Sequence, residues 1–151
     1  MSAQTVGSYL GREVFLWKEK WGAGWDEGGF AGSIVLLWMC DWNQKHFAEL
    51  VELLCTKSVL AIVVAGREAE RAFTSLLEIL QIPEASNDYG HVMTGIVSSQ
   101  DEDVEVLETL FYSTWPSEER LDEWKQYHII VIGCDDFNDK KRSIIDFINP
   151  K

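Results

Sequence analysis

Two apolar runs in this 151-residue chain close on a cysteine followed at once by a carboxylate. SIVLLWMCDW, residues 33–42, ends in Cys40 and Asp41, and HIIVIGCDD, residues 128–136, ends in Cys134, Asp135 and Asp136. A thiol at such a place becomes a nucleophile when a base or a helix N-terminus favours its thiolate, and His46 is the candidate base for Cys40 or Cys134. Asp41, Asp135 and Asp136 offer hard oxygens of the kind that hold magnesium. Neither reaction is required to explain the pattern. A carboxylate just before a helix accepts hydrogen bonds from unpaired N–H groups and favours the positive end of the helix dipole. Cysteine in turn packs well as a small core residue. Asp41 precedes a stretch that buries Phe47, and Asp136 or Asn138 precedes the last helical stretch, so capping is the expected role and both cysteines are expected as core residues.

Other motifs carry less. Aspartates at strand ends are similar to those of receiver domains and haloacid-dehalogenase phosphatases. A receiver, however, places its acidic pair early and a lysine after its last strand, whereas the pair here is late and no such lysine follows IIVIG. The glycines of WGAGWDEGGFAG, residues 21–32, come before a strand instead of between a strand and a helix, and they lack the lysine or GxGxxG spacing of a phosphate loop. His91 and His128 begin strands, which places them at the edge opposite Cys40 and Asp135. No short Cys/His spacing of a zinc site is present. No metal and no cofactor is expected.

The elements that would position these residues follow from hydrophobic periodicity. Residues 33–40, VLAIVVAG at 59–66, HVMTGIVS at 91–98 and residues 128–134 are continuous apolar runs of strand length, which predicts strands buried on both faces. Phe47, Leu50, Val51 and Leu54 repeat at helical spacing, as do Ala69, Ala72, Phe73, Leu76, Leu77 and Leu80. Ser99 and Glu102 fit a capping box ahead of Val104, Leu107, Leu110 and Phe111. Pro116 should break that helix, with SEERLDEWKQ restarting as a shorter one, and Ile144, Ile145 and Ile148 give the last helix its apolar face. Alternating strands and helices predict an α/β three-layer sandwich: a mostly parallel sheet of four or five strands with helices on both faces, in one domain spanning 1–151. REVFLW at 12–17 is a candidate extra edge strand, followed by the Gly/Trp-rich loop. In a parallel sheet ligands bind beyond the carboxyl ends of the strands, the edge on which Cys40, Asp41, Arg67, Glu68, Cys134, Asp135 and Asp136 fall.

VMTG at 92–95, the acidic helix with EVLETLFYS at 105–113, the proline after it and IIVIG at 129–133 resemble a family of small bacterial α/β proteins of undetermined function. The resemblance covers residues 30–148. It implies a bacterial origin and the same fold, but no activity, and it transfers no functional residue.

Composition and charge shift the weight from chemistry to binding. Hydrophobic residues at 46% and charged residues at 25% suit a globular domain. The opening MSAQTVGSYLGREV lacks the basic and apolar regions of a signal peptide, and three widely spaced cysteines suit reduced thiols, so a cytoplasmic location is expected. The net charge of −12 is concentrated: residues 84–124 hold eleven Asp or Glu and one basic residue, Arg120. Such a field repels nucleic acid and anionic membrane and speeds encounter with basic surfaces. Asp101, Asp103, Glu105, Glu108 and Tyr112 belong to one helical stretch, and Glu118, Glu119, Asp122 and Glu123 extend the charge onto the next. Ordinary surface helices mix signs at such spacings. Trp17, Trp21, Trp25, Trp38 and Trp42 fall within 26 residues, and tryptophans anchor many interfaces. The expectation is a non-enzymatic binding protein whose acidic residues, with Trp21 and Trp25, engage a basic partner. Toxin-neutralising immunity proteins are similar in size, charge and lack of catalytic motif. The competing assignments are a small hydrolase or nucleotide-using enzyme at the Cys40/Asp41/Asp135 edge, and a homodimer joined through its tryptophans.

Overall fold

The computed structural model describes residues 3–19, 29–81, 88–89, 92–98 and 102–149. The unbroken apolar runs become the centre of one sheet. Strand β3 (Ser33–Met39) is buried at every residue, as is β4 (Ala61–Ala65), and β7 (Gln126–Ile132) is buried at all but its first. Their side chains alternate between two cores, as the two-residue repeat of a strand demands. Ile34, Leu36 and Trp38 face one cluster, while Val35, Leu37 and Met39 face the other.

Around this centre lie β1 (Gln4–Tyr9), β2 (Arg12–Glu19), the two-residue β5 (Asp88–Tyr89) and β6 (Val92–Ile96). The sheet order is β1-β2-β7-β3-β4-β6-β5, parallel from β2 to β6 and antiparallel at its two outer pairs. The chain is therefore α/β with a mostly parallel sheet, but it has more strands than the four or five expected. REVFLW is not an edge strand. As β2 it pairs with β7 along its whole length, from Glu13↔Gln126 to Glu19↔Ile132, and β1 covers its other side. The half-exposed sequence of β1 gives no apolar run. It is set by a tight hairpin at Leu10 and Gly11, whose φ values of 50° and 81° are those of a type I′ turn.

Helices α1 (Gln44–Thr56) and α2 (Ala69–Leu80) pack through Phe47, Leu50, Leu54, Ala72 and Leu76 onto one core. Helices α3 (Asp103–Ser113) and α4 (Phe137–Ile148) pack through Leu107, Leu110, Phe111 and Ile144 onto the other. The stretch after Pro116 is a 3-10 turn at Glu118–Glu123 instead of an α-helix. Two caps also differ from expectation. Asn43, not Asp41, caps α1 by accepting a hydrogen bond from the His46 amide at 3.0 Å. Asp136 stands at the start of α4 but makes no capping bond, and Glu102 stands at the start of α3, with Ser99 outside the described residues. Among the described residues no helix is long and apolar enough to cross a membrane.

Candidate functional site

The chain leaves β3 through α1 on one face and leaves β7 through α4 on the other. Neighbouring parallel strands that send their helices to opposite faces open a crevice at their carboxyl ends, the switch point at which α/β proteins place their ligands. Here that point lies between β3 and β7. The Cys40 amide donates to the Ile132 carbonyl at 2.9 Å, continuing the ladder by one residue, and the Gly133 amide donates to Glu19 at 3.1 Å. Gly133 has a φ of 69°, and a β-carbon there would lie 2.5 Å from that of Asp41, so only glycine lets the two loops meet.

This arrangement brings Cys40 and Cys134 to a Cα separation of 4.9 Å, joined as a disulfide. The reduced-thiol expectation is thereby corrected, and with it the part of the cytoplasmic argument that rested on thiols. A sequence separation of 94 residues hides the pair. The signal that reveals it is the matched Cys-Asp endings, once the two runs are known to be adjacent and parallel. The Cys–His arrangement weighed as an alternative does not form: each sulfur is bound to the other, while His46 Nδ1 lies 3.1 Å from Glu49 on the surface of α1.

The aspartates part company. Asp41 lies against Gly133, and Asp136 accepts from Lys140 Nζ at 3.0 Å. Lys140, with its side chain only 7% exposed, also reaches Asp103 at 3.4 Å and lies 4.5 Å from the Trp38 ring centre. Among the described residues the gathered ligand group is Cys40, Cys134 and Asp136, with ligand atoms within 4.8 Å of one another, and not the Asp41/Asp135/Asp136 set. Two sulfurs and an oxygen suit a soft divalent ion better than magnesium, and only after the disulfide is reduced. A cavity of about 390 Å³ opens beside the pair, lined by Lys18, Glu19, Val131, Gly133, Cys134 and Asp135. Arg67 closes the other side of Cys40, donating from Nη2 to its carbonyl at 2.6 Å.

The acidic residues form a second region. α3 starts near Lys140 with Asp103 and runs toward the amino edge of the sheet, where the 3-10 turn crosses the start of β4. Glu105, Glu108, Glu118, Glu119, Asp122 and Glu123 are exposed along this path. Arg120, the one basic residue of segment 84–124, turns inward, donating to the Val59 and Ser58 carbonyls at 3.0 and 3.2 Å and pairing with Glu123. Asp103 is held by Lys140. Large apolar side chains stand among the remaining carboxylates: Tyr112 is 56% exposed, Trp115 54%, Val104 49% and Leu121 43%. From Trp115 a continuous ring-to-ring chain runs through Trp124, Tyr127, Phe111 and Tyr9. Between α3 and α4 a second cavity of about 300 Å³ is lined by Val104, Leu107, Ser143, Asp146 and Phe147. Asp101, Trp21 and Trp25 lie outside the described residues. Trp38 and Trp17 are buried core residues and Trp42 is partly buried, so among the described residues Trp115 is the exposed tryptophan that reading the 17–42 cluster missed.

His128 lies in the amino half of β7, away from Cys40 and Asp135, and it is buried there, stacked on Phe15 at 4.9 Å. Its Nδ1 accepts from Trp17 Nε1 at 2.9 Å, which leaves Nε2 to donate to the Gly29 carbonyl at 3.1 Å. Burial lowers its pKa from 6.5 to about 4, against an opposing contribution from the Gly29 hydrogen bond. It is therefore a neutral structural residue at physiological pH.

Compared with protein-family models, curated proteins and solved structures, the chain matches none of them.

Proposed function

We propose that the chain is an acidic protein-binding module of three-layer α/β architecture that docks a basic partner on the face formed by α3 and the 3-10 turn. The observation that carries this reading is the crowding of exposed carboxylates around the exposed Tyr112, Trp115 and Leu121, where Arg120, the one basic residue of segment 84–124, is turned inward onto the Val59 and Ser58 carbonyls. Like charges held close together cost stability in the free protein, and the cost is offset when a cationic surface covers them. Exposed aromatic rings supply the desolvated centre that such a contact needs. The cavity between α3 and α4 has an apolar floor of Leu107 and Phe147 with Asp146 at its wall, a shape and charge suited to the stem and head of an arginine or lysine.

Within this class, neutralisation of a basic toxin domain is the role that the charge fits best, the mechanism being steric and electrostatic occlusion of the partner's cationic active surface. A second copy of the chain is a poor occupant, because two acidic faces repel. The test is calorimetric titration against basic enzyme domains, nucleases first, at low and at physiological salt. Binding should weaken steeply with salt, and Trp115→Ala should weaken it by about 2 kcal/mol. Absence of binding to every such domain at low salt would sink the reading, as would binding untouched by both Trp115→Ala and Tyr112→Ala.

A further inference from the structure

We propose that Cys40–Cys134 is an exchangeable disulfide, and that the crevice beside it is a thiol–disulfide exchange site taking a small-molecule thiol as substrate. Three observations point this way. The pair lies at the switch point of the sheet, where the fold opens a ligand crevice, and is only partly buried, Cys134 packing against the rim of one core. Cys134 lines the cavity of about 390 Å³, whereas Cys40 does not, so an incoming thiol meets one particular sulfur. The other sulfur belongs to Cys40, and Asp136, whose oxygen comes within 4.8 Å of both sulfurs, carries Lys140 Nζ at 3.0 Å, so the leaving thiolate forms beside an ion pair while Arg67 holds the Cys40 carbonyl.

The step balances without any resident cofactor. A small thiolate in the cavity attacks Cys134 Sγ, the disulfide bond breaks, and its electron pair leaves on Cys40 Sγ. The new bond joins Cys134 to the incoming sulfur. A second small thiolate attacks that incoming sulfur, releasing Cys134 as a thiolate and a small-molecule disulfide. Two small thiols are thereby oxidised, the protein pair is reduced, and the two protons they brought pass to Cys40 and Cys134. The register of β3 and β7 has its own support in seven residue pairs from Ser33↔Gln126 to Met39↔Ile132, all of them before the bridge. The reduced pair, with Asp136, is the gathered ligand group already described.

The test equilibrates the full chain in reduced and oxidised glutathione buffers, quenches with an alkylating agent and reads the bridge by mass. Cys55, outside the pair and with its thiol pushed up by burial and by Glu52, is the internal control. The expected result is a reversible two-electron transition of Cys40 and Cys134 with the circular dichroism of the fold retained. In Cys40→Ser the remaining Cys134 should form a mixed disulfide with oxidised glutathione about tenfold faster than Cys40 does in Cys134→Ser. A bridge that opens only when the protein unfolds, or a pair that stays reduced across the whole buffer range, would overturn the proposal. The wild-type transition decides the matter even if a variant fails to fold, and equal mixed-disulfide rates in two folded variants would overturn the assignment of Cys134 as the attacked sulfur.

Discussion

Acid should destabilise this fold through His128. The imidazole is 3% exposed, accepts from Trp17 and donates to Gly29, so protonation would both bury a charge and remove the acceptor that Trp17 uses. Its pKa lies at about 4 in the folded chain against 6.5 ordinarily. With the folded value depressed, the unfolded chain binds the extra proton first as pH falls. Stability from this group is complete above 6.5, declines as pH falls through the interval, and is gone below about 4. At 1.36 kcal/mol per pH unit, the interval corresponds to about 3 kcal/mol. Glu19 acts with the opposite sign, because burial raises its carboxyl, so the useful quantity is the difference between wild type and a variant in which this group cannot titrate. His128→Gln should be less stable at pH 8 by about 1–2 kcal/mol, from the lost stacking and hydrogen bonds, yet change less between pH 7 and 4.5. Urea unfolding at half-unit pH steps provides the measurement. If wild type and variant lose stability in parallel over that range, the buried neutral imidazole is the wrong account.

Gly133→Ala places a β-carbon 2.5 Å from that of Asp41 at a φ of 69°, and should cost about 2–3 kcal/mol in urea unfolding, more than an ordinary loop glycine. Lys140→Met should cost about 1–2 kcal/mol in the same assay. The loss is modest because Asp103 and Asp136 remain open to water and methionine keeps an apolar stem in the buried place of Lys140, although the ammonium over the Trp38 ring is lost. Glu108→Gln, on the exposed side of α3, should leave the fold intact and raise its melting temperature slightly, and added salt should stabilise wild type more than this variant. Equal salt responses would show that the carboxylates of this face do not strain the free protein.

What the sequence made legible was whatever one segment determines alone. SIVLLWM and HIIVI read as buried strands because no polar residue interrupts them, and Phe47, Leu50 and Leu54 read as a helix face because their spacing is its own signal. Pairing between distant segments was not legible. β1 has no apolar run, and its place follows from the Leu10–Gly11 turn and from β2 lying beside β7. The Cys40–Cys134 bridge likewise depends on strand order, since two matching strand ends become neighbours only when the last strand inserts beside the first buried one. Aspartates before helices looked like caps because composition marks the position, but Asn43 was two residues better placed than Asp41, and Lys140 drew Asp136 away from the helix N-H groups. The charge of 84–124 was plain, whereas the direction of Arg120 was not, because it depends on carbonyls 61 and 62 residues away.

Lys140 is where the two regions meet. It holds Asp136, beside the disulfide, and Asp103, the first residue of α3, so one ammonium ties the start of the acidic face to the loop that carries Cys134. Its attachments are unequal. At 3.0 Å and four residues away on its own helix, Asp136 is the closer partner, while Asp103 is reached across 37 residues at 3.4 Å. Opening the disulfide places thiol protons or thiolate charge near Asp136, and any thiolate formed there competes for the same ammonium. The longer contact is the one to Asp103, at the N-terminus of α3, where negative charge is favourable to the helix. Protonated thiols leave the ammonium where it is; only a thiolate in the opened pair would draw it from Asp103, and the acidic face would then carry one more free carboxylate.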